Sequence, residues 1–250
     1  MFSLGVDGSL RGVVKESKMF ILRKSFDRGF QDHGWLQTYH TFSFGDYDDP
    51  QWRHFGLLRV LNEDFVLPNK GFGTHPHRNM EILTYIISGA LEHQDSMGNG
   101  TQIKPREMQY MSAGTGVLHS EFNPSSQTPV HLLQIWILPN IKGLVPRYDQ
   151  ISLQEEKELQ LVAAPEQKAG QNIIGLRADA WVYEGHLLAS ESLTYEPKGT
   201  QQWVQMVEGS MMLGGHAIEQ GDGIGIQEES KLQIKALEDS TFLLFDMEAS

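Results

Sequence analysis

The chain has 250 residues, enough to bury a sizeable core as one large domain or two of ordinary size. Its 40% apolar and 21% charged residues belong to a globular chain, and a net charge of −12 without a basic stripe excludes a nucleic-acid surface. It contains no cysteine, which removes disulfides, thiolate zinc sites, iron–sulfur clusters and cysteine nucleophiles, leaves only nitrogen and oxygen ligands for a metal, and fits the cytoplasm.

In chain order, MFSLGVDGSLRGVVKESK (1–18) lacks the basic start and long apolar centre of a signal peptide and reads as an N-terminal extension that contributes little to the core. No stretch is long and apolar enough to span a membrane. From Met19 a cleaner pattern begins. Short β-type runs recur at 56–61, 82–87, 109–111 and 130–138, separated by the turn signals SMGNG (96–100), SAGTG (112–116) and NPSSQTP (123–129). Strands at this spacing, without strong 3.6-residue periodicity, predict an all-β sandwich or barrel. Ser152 to Leu161, rich in glutamate, is the one predicted helix, a connector near the midpoint.

The second half repeats the theme. HAIEQGDGIGIQEESKLQIKA (216–236) lies ungapped on TQIKPREMQYMSAGTGVLHSE (101–121), so that Ile218 faces Ile103, Asp222 faces Glu107 and Ile226 faces Met111. This match implies two β-barrels of one design.

Residues 71–89, GFGTHPHRNMEILTYIISG, place His75 and His77 one residue apart at the mouth of a β-like segment. Side chains at i and i+2 of a strand share a face, so the pair either serves one metal or stands on a surface loop. Downstream, LHSEFN repeats the spacing with His119 and Glu121. If the two segments are neighbours, three imidazoles and one carboxylate converge, a set suited to Fe(II), Mn, Co, Ni or Cu with positions left open.

Other residues read more plainly. His93 is expected at a strand end or turn, and His40, His54 and His131 as hydrogen-bonded histidines or pocket rim. Asp46, Asp48 and Asp49 lack the glycine and closing glutamate of an EF-hand and read as a solvated loop. Asn123 either ties down the turn after the second pair or contacts substrate. No serine elbow and no P-loop pattern is present.

The spacing G-x3-H-x-H-x3-E-x7-G (Gly71, His75, His77, Glu81, Gly89), followed by G-x2-H-x3-N (Gly116, His119, Asn123), resembles the two motifs of the cupin superfamily. More narrowly, HTFSFGDYDDP (40–50), residues 71–100, MSAGTGVLHSEFNPS (111–125) and LLQIWILP (132–139) resemble the pirin family, nearest its quercetinase-like bacterial branch. The likeness is dense from Met19 to Tyr148 and weaker beyond. It implies two packed cupin barrels with few short helices: an extension at 1–18, a metal-binding cupin at 19–150 and a metal-free cupin at 151–250.

The resemblance also implies His75, His77, His119 and Glu121 as ligands of one divalent transition metal, with Fe2+ expected and Mn, Co, Ni, Cu or Zn as substitutes. The general cupin motif would take its carboxylate from Glu81, which here is expected to sit beside the ligands or to act as a structural acid. In the second half Ile234 and Ala236 stand where His119 and Glu121 would be, and no histidine lies between Leu187 and Gly215, so one site per chain is expected. The activity implied is oxygenolytic ring cleavage of a flavonol such as quercetin by dioxygen, with Glu121 as general base. Two alternatives stand beside it: a non-enzymatic regulator whose metal redox state governs binding to a protein partner, and a structural or small-molecule-binding cupin.

Overall fold

Runs such as EILTYIIS and VHLLQIWI are apolar at odd and even positions alike, which is the pattern of a strand covered on both faces. The computed structural model describes residues 19–154 and 158–248 and shows why both faces are covered. It contains two seven-stranded sheets and two four-stranded sheets. The large sheets pack face to face, and a small sheet covers the outer side of each.

In the first half, the large sheet runs in the order Arg147–Ser152, Glu107–Ser112, Glu81–Ser88, Val130–Ile137, Leu58–Val66, Leu36–His40 and Gly29–Asp32. Its small sheet runs Gly71–His77, Val117–Phe122, Leu91–Asp95 and Gly100–Ile103. Alternation divides the side chains. Leu83, Tyr85, Leu133 and Ile135 join the core between the large sheets, alongside Val182, Trp203, Leu243 and Phe245 of the second half. Their neighbours Ile86 and Leu132 point the other way, into the first half's interior.

The internal match holds strand by strand. Gly100–Ile103, Glu107–Ser112 and Val117–Phe122 correspond to His216–Glu219, Gly223–Gln227 and Leu232–Ala236, and the last of these occupies the same position in its small sheet. The all-β cupin architecture is therefore present in both halves. Its helical content among the described residues is two short 3-10 turns, Ser25–Asp27 and Glu166–Lys168.

Three expectations meet the structure differently. The predicted extension, 1–18, lies outside the described residues. The predicted helix at 152–161 is absent where described: Ser152 ends a strand and Leu159–Pro165 is another, with 155–157 not described. Glutamate-rich composition favours helix only weakly, and pairing with Ala180–Leu187 overrides it. The expected boundary at 150 falls inside strand Arg147–Ser152. Met19–Arg23, expected in the first domain, instead pairs with Gly223–Gln227 in the second half's large sheet. An open sheet edge needs a partner, and Asp222 holds this strand's end by bonds to Lys24 Nζ at 2.6 Å and Ser25 N at 2.7 Å.

The halves are locked by aromatic packing and by buried acids. Trp203 is fully buried, with its ring 5.1 Å from Phe42 and 5.4 Å from Phe55 across the interface. Tyr85 donates to Glu184 Oε1 at 2.7 Å. Glu81 accepts from the Tyr110 hydroxyl, from Ser112 Oγ at 2.6 Å and from the Arg177 N–H of the second half at 3.0 Å. Of its two expected roles, Glu81 fills the structural one. We expect Trp203→Ala to lower the unfolding free energy by about 3–5 kcal/mol, read from the midpoint and slope of chemical denaturation.

Candidate metal centre

Strand Gly71–His77 pairs antiparallel with Val117–Phe122, in a register that sets His119 opposite His75 and Glu121 opposite Phe72. A bulge between His119 and Glu121 breaks the ladder there. Gly71 permits the close approach: a Cβ on it would collide with the Glu121 carbonyl oxygen. The alternation of Val117–Phe122 is regular, with His119 and Glu121 buried and Leu118 and Phe122 exposed. The sequence motif therefore becomes a wall of inward donors.

His75, His77 and His119 each offer a ligand atom within 4.8 Å of the others. His119 Nε2 lies 2.9 Å from His75 Nε2. Two donors at right angles, each about 2.1 Å from one ion, would stand about 3.0 Å apart, so the pair matches the separation a shared cation imposes. The His75 Nδ1–H donates to the Gly73 carbonyl at 2.8 Å, which fixes the tautomer that leaves Nε2 free as a ligand. Glu121 falls in a second, overlapping group with His93 and His119, again within 4.8 Å. These two groups share His119, and the four expected residues do not form one tight cluster by that measure.

Unsatisfied atoms mark the place. Glu121 Oε1, His119 Nδ1 and His93 Nδ1 are buried without hydrogen-bond partners among the described residues. A buried acceptor without a donor is costly unless something binds it, and a cation satisfies nitrogen and carboxylate lone pairs alike. Electrostatics agrees. Burial, reinforced by the imidazole of His75, pushes His77 down to about 4 and His119 down to about 2, so both are neutral and able to bind a metal. Burial, and then the nearby Asp64 carboxyl, push Glu121 up to about 8.

A cavity of about 480 Å³ opens beside His75, His77 and Glu121. Its walls are aromatic, with Trp35 edge-on to Phe72 at 5.2 Å and Phe44 edge-on to Trp136 at 5.4 Å. Trp136 Nε1–H is a buried donor without an acceptor. The inward positions of the large sheet supply Asn62, Asp64 and Gln134.

The remaining histidines sort themselves. His93, expected at a strand end, is fully buried within Leu91–Asp95, faces Glu121 across the sheet and approaches His119 with ring centres 5.2 Å apart. Nothing in its sequence context signalled this, because the pairing with Val117–Phe122 is long-range. His131 bonds Glu63 at 2.7 Å and stacks on Phe65, while His54 turns to the Gly56 carbonyl. Asn123 ties down its turn: its amide donates to Val66 O and Thr128 O, and its oxygen accepts from Ser125 N. Asp48 is exposed near Arg53, as a solvated loop requires.

The aligned region of the second half is filled differently. Ile234 and Ala236 are buried there in one continuous apolar cluster with Val204, Met206, Ile224 and Phe242.

Comparison with known proteins places this geometry in context. The Pirin family model matches residues 22–137, and a model described as the quercetinase C-terminal cupin domain matches residues 161–247. The quercetin 2,3-dioxygenase of Escherichia coli (strain K12) is 44% identical over 230 residues, 92% of this chain and 99% of that protein. The crystal structure of the bacterial pirin YhhW from Escherichia coli in complex with nickel(II) superposes with a TM-score of 0.89 at 42% identity, covering 93% of this chain and 100% of that one. A quercetin 2,3-dioxygenase from Acinetobacter baumannii shares the fold, with a TM-score of 0.74 at 23% identity over 92% of this chain and 87% of its own.

Two outcomes are expected. His75→Ala and His119→Ala should each abolish retention of a divalent ion through desalting, as measured by elemental analysis, with melting temperature recorded as a control. At pH 7 the metal-free protein holds Glu121 protonated and His77 and His119 neutral, so uptake of an ion should release about one proton and tighten as pH rises towards 8. Calorimetric titration in two buffers of different ionisation enthalpy reads that proton directly.

Proposed function

The chain belongs to the pirin family, and on that premise we propose that it is a metal-dependent dioxygenase that opens the ring of flavonol-type substrates. His75, His77, His119 and Glu121 would hold one divalent transition ion, with iron(II) as the expected metal and nickel as the ion named in the solved relative. The observation that carries this reading is the pair of Nε2 atoms 2.9 Å apart beside an unpartnered carboxylate oxygen, at the edge of an aromatic cavity.

When bound, the ion supplies a Lewis acid that favours the ionised forms of a substrate hydroxyl and of the Glu121 carboxyl. The protein's own contribution starts with orientation. Trp35, Phe72, Phe44 and Trp136 offer flat apolar walls that receive a planar polyphenol and exclude water from it. Trp136 lines the cavity, and its buried Nε1–H has no acceptor among the described residues. Glu121 Oε1, free of any protein partner, takes the proton from the substrate hydroxyl as general base. Deprotonation raises electron density on the ring that dioxygen attacks. The proposal includes a cytoplasmic setting, where a reducing milieu keeps iron in its divalent state.

An oxygen electrode tests this. Metal-reconstituted protein should consume dioxygen and bleach quercetin together, and Glu121→Gln should lower kcat by about 10²-fold or more. A Glu121→Gln variant that keeps its ion and turns over normally would remove the base role. Absence of oxygen uptake with any phenol and any of the metals would replace the enzyme by the non-catalytic regulator.

A further inference from the structure

The segment Asn62-Glu63-Asp64 lies in a strand covered on both faces, yet carries two adjacent acids. Their environments differ sharply. Glu63 points away from the cavity and is paired, with Arg28 Nη1 at 2.8 Å and His131 Nε2 at 2.7 Å. Burial alone would raise its carboxyl, but the His131 bond and the Arg28 charge hold it below the usual range. Asp64 points inward, is only 5% exposed, and is engaged by the Thr38 hydroxyl alone. Its Oδ1 has no partner among the described residues. A buried carboxyl with one idle oxygen is destabilising, and no hydrogen bond from the described residues compensates for it.

Its position suggests what does. Asp64 lines the cavity beside the histidines and also a second chamber of about 340 Å³. The two spaces share Trp35, Phe44, Asn62, Asp64 and Phe72 as a common neck. The metal-side cavity is walled by aromatics, whereas the chamber beyond the neck adds the polar side chains of Gln31, His33, Thr38, His40 and Asp46. His75 and His77 line only the first. A ligand spanning both would be a flat ring system that presents its reacting hydroxyl at the metal end and carries further hydroxyls at the other.

We propose that Asp64 and this side chamber form a subsite for the hydroxylated side ring of a flavonol-type substrate, with the Asp64 carboxyl hydrogen-bonded to a ring hydroxyl. The proposal rests on the dioxygenase reading above and names which end of the substrate enters which space. Burial, then the neighbouring Glu63 charge, push the Asp64 carboxyl up to about 7, and both of its forms suit a phenol: the carboxylate accepts, and the acid also donates. Asp64 then selects among substrates, while Glu121 and the histidines act at the reacting end. A site built to hydrogen-bond a hydroxyl discriminates against the analogue lacking it, because its own polar group is left idle.

The test is equilibrium binding to the metal-loaded protein without oxygen, read by quenching of tryptophan fluorescence. The probes are quercetin and the flavonol identical except for its two missing side-ring hydroxyls. Wild-type protein should bind quercetin about tenfold more tightly, the loss expected for one hydrogen bond to a buried acid. Asp64→Ala should bring the two affinities together, whereas a general fold defect weakens both probes alike and preserves their ratio. Equal affinities in the wild type, a measurement needing no variant, would overturn the subsite, as would a tenfold preference that survives Asp64→Ala. Failure of the wild type to bind either flavonol would overturn the dioxygenase reading and the subsite with it.

Discussion

Antiparallel register sets His119 opposite His75 and leaves their Nε2 atoms 2.9 Å apart. Two neutral imidazoles presenting lone pairs at that distance repel, unless a proton or a cation lies between them. His75 already donates its Nδ1–H to Gly73, so its Nε2 presents a lone pair that either the Nε2–H of a neutral His119 or a shared cation satisfies, and the nearby His77 and Glu121 donors suit the cation. Everything else in the first half follows from keeping these strands in that register. Gly71 lets the backbones approach at Glu121, an extra residue between Phe72 and His75 shifts the register while Val117–Phe122 keeps its alternation, and Asn123 pins the turn that follows.

The same architecture is used twice with opposite interiors. In the second half a single apolar cluster fills the space between the sheets, as a core should. In the first half the interior apolar residues divide into two smaller clusters, one around Leu36, Ile86 and Leu132 and one around Ile82, Met111 and Val117. Polar donors and the cavity occupy the first half's interior as well. A hollow, polar-lined interior is less stable by itself, and the face it shares with the filled half offsets that. Trp203 and the Glu81 network belong to this shared face, so the second half serves the site by supporting the sheet that carries Asn62, Asp64, Gln134 and Trp136.

Asp64 and Glu121 illustrate how that interior is tuned. Both are carboxyls shielded from water, both lack a partner for one oxygen among the described residues, and burial raises the proton affinity of each, with Asp64 adding to that of Glu121. Glu63, one residue away on the opposite face, is paired with the Arg28 guanidinium and the His131 imidazole. The two-residue alternation of a strand thus sends chemically similar side chains into unlike surroundings, one structural and one facing ligand.

The sequence by itself determined the β-rich class, the internal duplication and the two pairs of donors, because each is written in local spacing: alternation of period two, turn residues at fixed intervals, and H-x-H with H-x-E on strands. It also placed Ile234 and Ala236 opposite His119 and Glu121. Only the tertiary structure decided that Met19–Arg23 belongs to the second half's sheet, that Ser152 and the residues after Leu159 are strands, that His93 lies against His119, and that Glu81 clamps the two halves together. It also decided that Glu121 sits nearer His93 and His119 than the other histidines. Each of these depends on which strand lies beside which, and hydrogen-bond pairing across scores of residues leaves no mark in the local pattern of either partner.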